Sequence, residues 1–389
     1  MVTALLIVIY IAFIGNGFTQ SLFGAALPAI QGDLALSLDM ANYVNVLIPA
    51  CTAISSMFGG RMVNKFGTRA VLTASTVLAA LSLLGFSFAN GIVTMCIFAI
   101  PLGLSAGATD AALNNYISLH YKAMHMNFMH CFFGVGMLTG PVIMAFVLDS
   151  AGWRAGYRTV FALQCVIVLI VLLSLPIWKK VKHASNTAQA EAVVSENLSY
   201  FKMIKRSEIR LDWYMCIAIN AIEGGVGSLG AWYLVNAHGL SEASSAAAIT
   251  MFCAGIALGR FLSGIISNKV SSRAIVKVSV GIMLLGTALM FVPVTAVAIA
   301  GLFLVGLGNG PIYPSIMYLT PQHFGEKHST SILSSQMAAA YFGFMVGAPV
   351  FGSIAKMLSP SAFPLYILVW GAIFVVSAML FFRKISKNK

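Results

Sequence analysis

Two carboxylates lie where their neighbours are almost all apolar. Asp110 stands in a run that begins near Ile92, and Glu223 stands among Asn220, Gly224, Gly225, Gly227 and Ser228. A charge at the middle of a membrane helix costs roughly 2.5–3.5 kcal/mol on insertion scales, so an intramembrane acid is a functional candidate by default. A carboxyl exchanges a proton as its access changes, which makes Asp110 the first and Glu223 the second candidate for proton or other cation coupling. Gly103, Gly107, Asp110 and Asn114 fall at i, i+4, i+7 and i+11, so one helix face carries two thin positions and two polar side chains. Such a face turns inward.

Around these acids the sequence places groups suited to a hydroxylated solute. Asn16, Gln20, Asn45, Asn114, Asn127, Asn309 and Gln336 offer paired donors and acceptors. Trp232 and Tyr313 offer flat apolar faces for a sugar ring, and His130 a donor to Asp110 or to a hydroxyl. These form the candidate substrate-binding set. Ser228 with His130 is too loose an arrangement for a hydrolase, and the cysteines lack metal-ligand spacing. No catalytic residue, metal or cofactor is assigned, and the chain is not expected to be an enzyme.

The elements that position these residues follow from composition. The 389 residues are 59% hydrophobic and 9% charged, with mean hydropathy +0.90, whereas soluble domains carry roughly 25% charged residues. A hydrocarbon core about 30 Å thick needs about 20 apolar residues per helix, and about twelve such runs can be placed. They nearly use up the chain, which leaves no room for a soluble catalytic domain. The apolar runs are continuous and do not alternate, so a barrel is excluded. The first run is expected to stay as a helix, since it is long and unmarked by a cleavage site.

The expected spans are 3–30, 40–59, 70–88, a fourth from 92, a fifth, then 160–178, 211–235, 244–266, 274–292, 296–319, 331–355 and 363–382. Polar and glycine-rich positions gather on the first, fourth, fifth, seventh, tenth and eleventh runs, while the third, sixth, ninth and twelfth read as scaffold. The glycines beside Glu223 predict a broken seventh helix.

A net charge of +12 would suggest nucleic acid in a soluble protein, but its distribution excludes that partner. Basic residues cluster at Arg61, Lys65 and Arg69, and at 179–210, 260–277 and 383–389, segments the positive-inside rule assigns to the cytoplasm together with both termini. Arg154, Arg158 and Lys356 fall on the other side and are assigned to the rim. Asp33 and Asp39 are placed in a solvated outer loop, and His120, His125, His323 and His328 in cytoplasmic loops. The six cysteines are expected to be buried free thiols without a disulfide.

The polar stretch 179–208 is a cytoplasmic linker between six-helix bundles at 1–178 and 209–389. Equal halves suggest a repeat. Gly264, Asn268, Lys269 and Arg273 repeat Gly60, Asn64, Lys65 and Arg69 at identical offsets, and Gly306, Leu307 and Gly310 echo Gly103, Leu104 and Gly107, as Gly343 and Gly347 echo Gly136 and Gly140. The fold expected is all-α, with twelve transmembrane helices in two pseudo-symmetric halves.

The loop at Gly60, Lys65, Gly67 and Arg69 resembles the major facilitator signature Gly-x-x-x-Asp-Arg-x-Gly-Arg-Arg, with Asn64 where that signature has Asp. The resemblance implies two parallel repeats and makes Gly60, Asn64, Lys65, Arg69, Gly264, Asn268, Lys269 and Arg273 a cytoplasmic gate, whose charge pairs lock the outward-facing state in that family. More narrowly, the chain resembles the fucose–galactose–glucose:proton symporter branch and its bacterial relatives. The resembling residues are GFTQSLFGAALP (17–28), the stretch from Gly103 to Asn114, MNFMH (126–130), FGVG (133–136), GP (140–141), Glu223 with WYL (232–234), and GLGNGPIYP (306–314). In that branch an acid on the fourth helix works with one on the first; Asp110 matches the former, and Gln20 stands where the latter would be.

The resemblance implies secondary active transport of a small polar solute, a sugar or sugar derivative, by alternating access with proton or other cation coupling, in a monomer of the bacterial plasma membrane. A proton-driven exporter of drugs or metabolites is the alternative. Gly136-x-x-x-Gly140-Pro141 is similar to the antiporter motif, but Ile143 and Met144 stand where two further glycines are expected. A reporter fused near Thr187 is expected to read out the cytosol; a periplasmic readout would reverse the orientation.

Overall fold

The computed structural model describes residues 2–36, 38–178, 197–355 and 359–387. Every regular element among them is a helix: α1 (Val2–Leu34), α2 (Leu38–Phe66), α3 (Thr68–Ser87), α4 (Ile92–His120), α5 (Ala123–Leu148), α6 (Ser150–Trp178), the short α7 (Tyr200–Lys205), α8 (Ser207–His238), α9 (Glu242–Ile266), α10 (Ser272–Leu289), α11 (Thr295–Phe324), α12 (Glu326–Ala355), a 3₁₀ turn (Pro360–Ala362) and α13 (Phe363–Lys387). Ten are long and apolar enough to cross a membrane. The helices α8 and α12 match them in length, with 32 and 30 residues, but carry more polar side chains. From α5 into α6 the chain stays helical except at Gly152, in the first turn of α6, where φ 76° and ψ 172° suit only glycine.

The chain forms two compact units. One comprises Met1–Leu119, Met129–Asn197 and Glu326–Ser334; the other comprises His120–Phe128, Leu198–Gly325 and Ser335–Lys389. The fold of each depends on glycine notches that admit a neighbouring backbone. In the first unit a β-carbon at Gly103 would stand 2.4 Å from the Ile48 carbonyl oxygen, and one at Gly107 2.2 Å from that of Thr52, so α4 lies directly on α2. In the second unit β-carbons at Gly306 and Gly310 of α11 would in the same way clash with the carbonyl oxygens of Phe252 and Ile256 on α9. Phe252 and Ile256 stand to Ile48 and Thr52 in the register that relates Gly264 to Gly60. Likewise Gly136 and Gly140 of α5 close on Ile14 and Phe18 of α1, and Gly343 and Gly347 of α12 on Ile217 and Ala221 of α8. The repeat expected from sequence is a repeat of backbone contacts.

Several expectations are corrected. No break interrupts α8, because its glycines serve packing: Gly224 meets the backbone of Phe344 on α12, Gly225 meets the ring of Tyr366 on α13, and the Tyr366 hydroxyl donates to the Ala221 carbonyl at 2.6 Å. Asp33 lies in the last turn of α1 and accepts from Arg154 and from Trp153 Nε1, the latter at 3.1 Å. Arg154 also donates to the Ala89 carbonyl at 3.1 Å and stacks over Trp153 at 4.3 Å, while Arg158 sits over the Phe88 ring at 5.4 Å. Both arginines assigned to the rim are therefore held by partners of their own unit. Only Cys51 and Cys216 are buried, whereas Cys165 and Cys253 are exposed on apolar helices. His120, His125, His323 and His328 lie within helix ends, not loops. Thr187, Lys356 and the side chain of Asp39 are outside the described residues.

The scaffold helices present apolar surface outward, as Leu163, Val166, Leu169 and Leu173 do on α6 and Leu365, Val369, Val376 and Met379 on α13. Hydrocarbon is the solvent that suits such faces. The notches give the first test: Gly107→Leu drives a side chain into the Thr52 carbonyl, and overpacking of this kind costs about 1–3 kcal/mol. A clear fall in melting temperature of the purified protein is expected, while Gly281→Leu, at a position with nothing within 4 Å, melts as the wild type does.

Candidate functional site

Each unit holds a carboxylate centre between its helices, built on Asp110 in the first and on half-buried Glu223 in the second. In the first, the α4 face brings Asp110 to α1, where Asn16 Nδ2 donates to Asp110 Oδ1 at 2.8 Å. Asn16 Oδ1 in turn accepts from Gln20 Nε2 at 3.4 Å, one turn further along α1. Asn114 Nδ2 donates to the Asp110 carbonyl at 3.0 Å, and Asn114 Oδ1 pairs with His130 Nε2 on α5 at 3.0 Å. Phe13 meets the His130 ring edge-on at 5.5 Å and fixes its tilt. Asp110, Asn16, Asn114 and His130 are all buried, and Gln20 is half-buried. A buried polar atom without a partner is costly, and the α1–α4–α5 packing supplies partners in a chain.

The second centre contains a residue that the sequence analysis placed among the cytoplasmic cations. Arg260 lies inside α9, with its side chain 7% exposed, and its Nη2 reaches Glu223 Oε2 at 3.4 Å. The same oxygen accepts from Asn309 Nδ2 of α11 at 3.2 Å, and Arg260 Nε donates to the Gly310 carbonyl at 3.2 Å. The signal that could have singled out Arg260 is its place in the apolar run 244–266, well before Lys269 and Arg273.

A second missed residue is the acid Asp212, buried on α8. Its Oδ2 accepts from Gln336 Nε2 at 2.6 Å, and Gln336 Oε1 accepts from Thr320 at 2.8 Å, so Gln336 is enclosed by protein partners. Asn127 is fully buried, donating to the Ala123 carbonyl at 3.2 Å and accepting from Ser263 at 2.8 Å. Trp232 and Tyr313 pack partly buried against the core of the second unit, and Asn45 is exposed.

The gate residues are also split between the units. In the first, Gly60 faces the backbone of Thr330 and Ser331 at the start of α12, Asn64 donates to Asn197 at 2.8 Å, Lys65 lies 5.2 Å over Phe66, and the Arg69 carbonyl accepts from Thr73. In the second, Gly264 faces the Phe128 ring, Asn268 reaches the Met124 sulfur at 3.2 Å, Lys269 is exposed, and Arg273 pairs with His323 at 2.9 Å while stacking over Phe382.

A duplicated set of membrane-length helices that buries hydrogen-bonded carboxylates is the build of a membrane transporter, not of an enzyme. The family described as Major Facilitator Superfamily matches residues 9–335 and again 213–389, and the chain belongs to it. The glucose/mannose transporter GlcP of Bacillus subtilis (strain 168) is 23% identical over 297 residues, covering 74% of this chain and 73% of its own. Among solved structures, the E. coli fucose:proton symporter FucP has a TM-score of 0.80 at 14% identity, covering 97% of this chain and 98% of its own. The proton:xylose symporter XylE has a TM-score of 0.75 at 13% identity, covering 98% and 95%. These likenesses are ones of fold.

Gln336→Ala strips Asp212 of its donor, while the Thr320 hydroxyl keeps the Ile316 carbonyl as acceptor. A loss of about 1–3 kcal/mol of stability is expected, the cost of a buried polar group left without a partner. Adding Asp212→Leu should restore much of the melting temperature, because it removes the stranded acid.

Proposed function

We propose that the chain is a secondary active transporter that moves a small polar solute, a sugar or sugar derivative, by alternating access, with a proton coupled through Asp110. The observation that carries this reading is the chain of contacts Asp110–Asn16–Gln20. An ionised Asp110 only accepts hydrogen bonds, so Asn16 presents its NH₂ to the acid and its carbonyl to Gln20. A protonated Asp110 becomes a donor, and Asn16 satisfies it by turning its carbonyl that way. The Asn16 NH₂ then faces Gln20, whose own NH₂ loses its acceptor, so Gln20 must meet Asn16 with its carbonyl instead. Proton binding on α4 thus changes what half-buried Gln20 offers a solute on α1, and Asn114 with His130 extends the polar surface on the other side of the acid.

The names of similar proteins fit this class: GlcP is a glucose/mannose transporter, FucP a fucose:proton symporter and XylE a proton:xylose symporter. Under this proposal the halves 1–178 and 209–389 are joined by a cytoplasmic linker, both termini are cytoplasmic, and the membrane is the bacterial plasma membrane. Glu223 is the second candidate carrier.

A membrane potential of 100 mV contributes about 2.3 kcal/mol per charge moved, enough for roughly fifty-fold accumulation with one proton. Proteoliposomes offered hexoses, deoxyhexoses and hexuronates, with and without an imposed pH gradient, identify the solute. Asp110→Asn keeps the shape but exchanges no proton, so uphill accumulation is expected to vanish while counterflow exchange survives. Accumulation that persists in Asp110→Asn overturns the assignment.

A further inference from the structure

The Arg260 centre asks for a ligand of its own. A guanidinium inside a membrane protein must face a counter-charge, and arginine usually meets a carboxylate through two parallel hydrogen bonds. Here it does not. Nη2 makes one long contact of 3.4 Å to Glu223 Oε2, an oxygen shared with Asn309, and Nε is occupied by the Gly310 carbonyl. Neither Nη1 of Arg260 nor Oε1 of Glu223 has a hydrogen-bond partner among the described residues. Asn309 Oδ1 is buried with no partner either. One centre therefore holds an underused cation, an underused anion and an orphaned acceptor.

We infer that the second unit takes the carboxylate of an anionic solute on Arg260, in exchange for Glu223, which takes up a proton as the anion arrives. This deepens the transport reading above by naming the substrate class as a carboxylate-bearing small molecule, of which a sugar acid is the member that also fits the hydroxyl-binding groups.

The argument is one of charge conservation. With Glu223 ionised the centre is neutral as Arg260⁺ and Glu223⁻. A proton on Glu223 would strand the cation, and an added anion would leave two anions facing one cation. Either event alone is costly in a desolvated site. Together they keep the centre neutral, so proton and anion bind as a pair. The proton goes to the Glu223 carboxylate, the solute carboxylate meets the two-pronged face of Arg260 that Glu223 leaves half used, and the orphaned Asn309 Oδ1 accepts from a solute hydroxyl or from the protonated acid.

The titratable groups facing Glu223 are few. From α9 come Arg260 and Cys253, whose thiol feels both charges. From α11 comes neutral Asn309, from α12 the backbone of Phe344 at Gly224, and from α13 the hydroxyl of Tyr366 at Gly225. No second cation or acid is in contact with Glu223 among the described residues, so the exchange rests on these two charges.

The test uses the purified full-length protein and matched pairs of probes: galacturonate with galactose, and glucuronate with glucose. At least one acid should bind about tenfold or more tightly than its neutral partner, the worth of one charge-assisted hydrogen bond. In weakly buffered solution with a pH indicator, that acid should draw a proton from solution for each anion bound. In an Asp110→Asn background, Glu223→Gln frees Arg260 permanently, so the acid should still bind, with an affinity that no longer varies with pH and without proton uptake. Arg260→Gln should lose the preference for the acid, and Arg260→Lys should keep part of it, which separates loss of charge from loss of fold.

The inference is overturned if neither acid outbinds its neutral partner, or if proton uptake persists in the Asp110→Asn, Glu223→Gln double variant. Its failure is distinct from failure of the Asp110 reading. A neutral hexose accumulated uphill through Asp110 would uphold that reading and sink this one, while acid binding with proton uptake that survives Asp110→Asn upholds this one alone.

Discussion

The cost of a polar group away from water is the constraint on which the rest of this structure depends. A carboxylate inside a membrane helix persists only if donors reach it from a neighbouring helix, and donors reach it only if the backbones come close. The glycine notches provide that closeness. Gly103 and Gly107 seat α4 on α2 and so fix the rotation that aims Asp110 at Asn16; Gly136 and Gly140 seat α5 on α1 and bring His130 within 3.0 Å of Asn114. In the second unit Gly306 and Gly310 seat α11 on α9, which sets Asn309 beside Glu223 and the Gly310 carbonyl beside Arg260. Packing and polar satisfaction are one requirement here, met by the same short residues.

That coupling explains what the sequence made legible. Asp110 and Glu223 stood out because acids in apolar runs are expensive, and the duplicated loop stood out because four residues recur at fixed offsets. The echoes at Gly306 and Gly343 were faint as strings but are exact as contacts, since thinness is all that a notch demands of its residue. The misreadings share a physical cause. A glycine cluster beside an acid serves equally for a broken helix or for close packing, and only the positions of Phe344 and Tyr366 decide for packing in α8. Arg260 was hidden by its neighbours Lys269, Arg273 and Lys277, because a charge count along the chain does not distinguish a cation beyond the helix end from one inside it. Asp212 was hidden in the same way by the charged stretch that precedes it. Arg154 and Arg158 looked like violations of the charge rule, but Arg154 is neutralised by Asp33 and Arg158 is spread over an aromatic ring.

The duplication also shows how one scaffold came to hold two chemistries. Taking the glycine notches as the register, Asp110 corresponds to Tyr313, and Glu223 to Gln20. Ser56 corresponds to Arg260, and both donate to the carbonyl of the equivalent glycine: Ser56 Oγ to Gly107 at 3.4 Å and Arg260 Nε to Gly310 at 3.2 Å. The acid therefore sits on α4 in the first unit and on α8, the counterpart of α1, in the second, each at a place where the other unit has an uncharged side chain.

The partners differ accordingly. Asp110 is met by the amide of Asn16, and the neutral amide and imidazole of Asn114 and His130 stand alongside it, so its charge state is felt as a change of donor and acceptor along a chain of amides. Glu223 is met by a cation, so its charge state is felt as a change in what Arg260 must find. Because backbone notches carry the fold and side chains carry the charge, the two units diverged in chemistry without disturbing the packing they share. An uncharged serine and a guanidinium can occupy one position for the same reason: each has a single donor aimed at the same carbonyl, and what lies beyond that donor is free to differ.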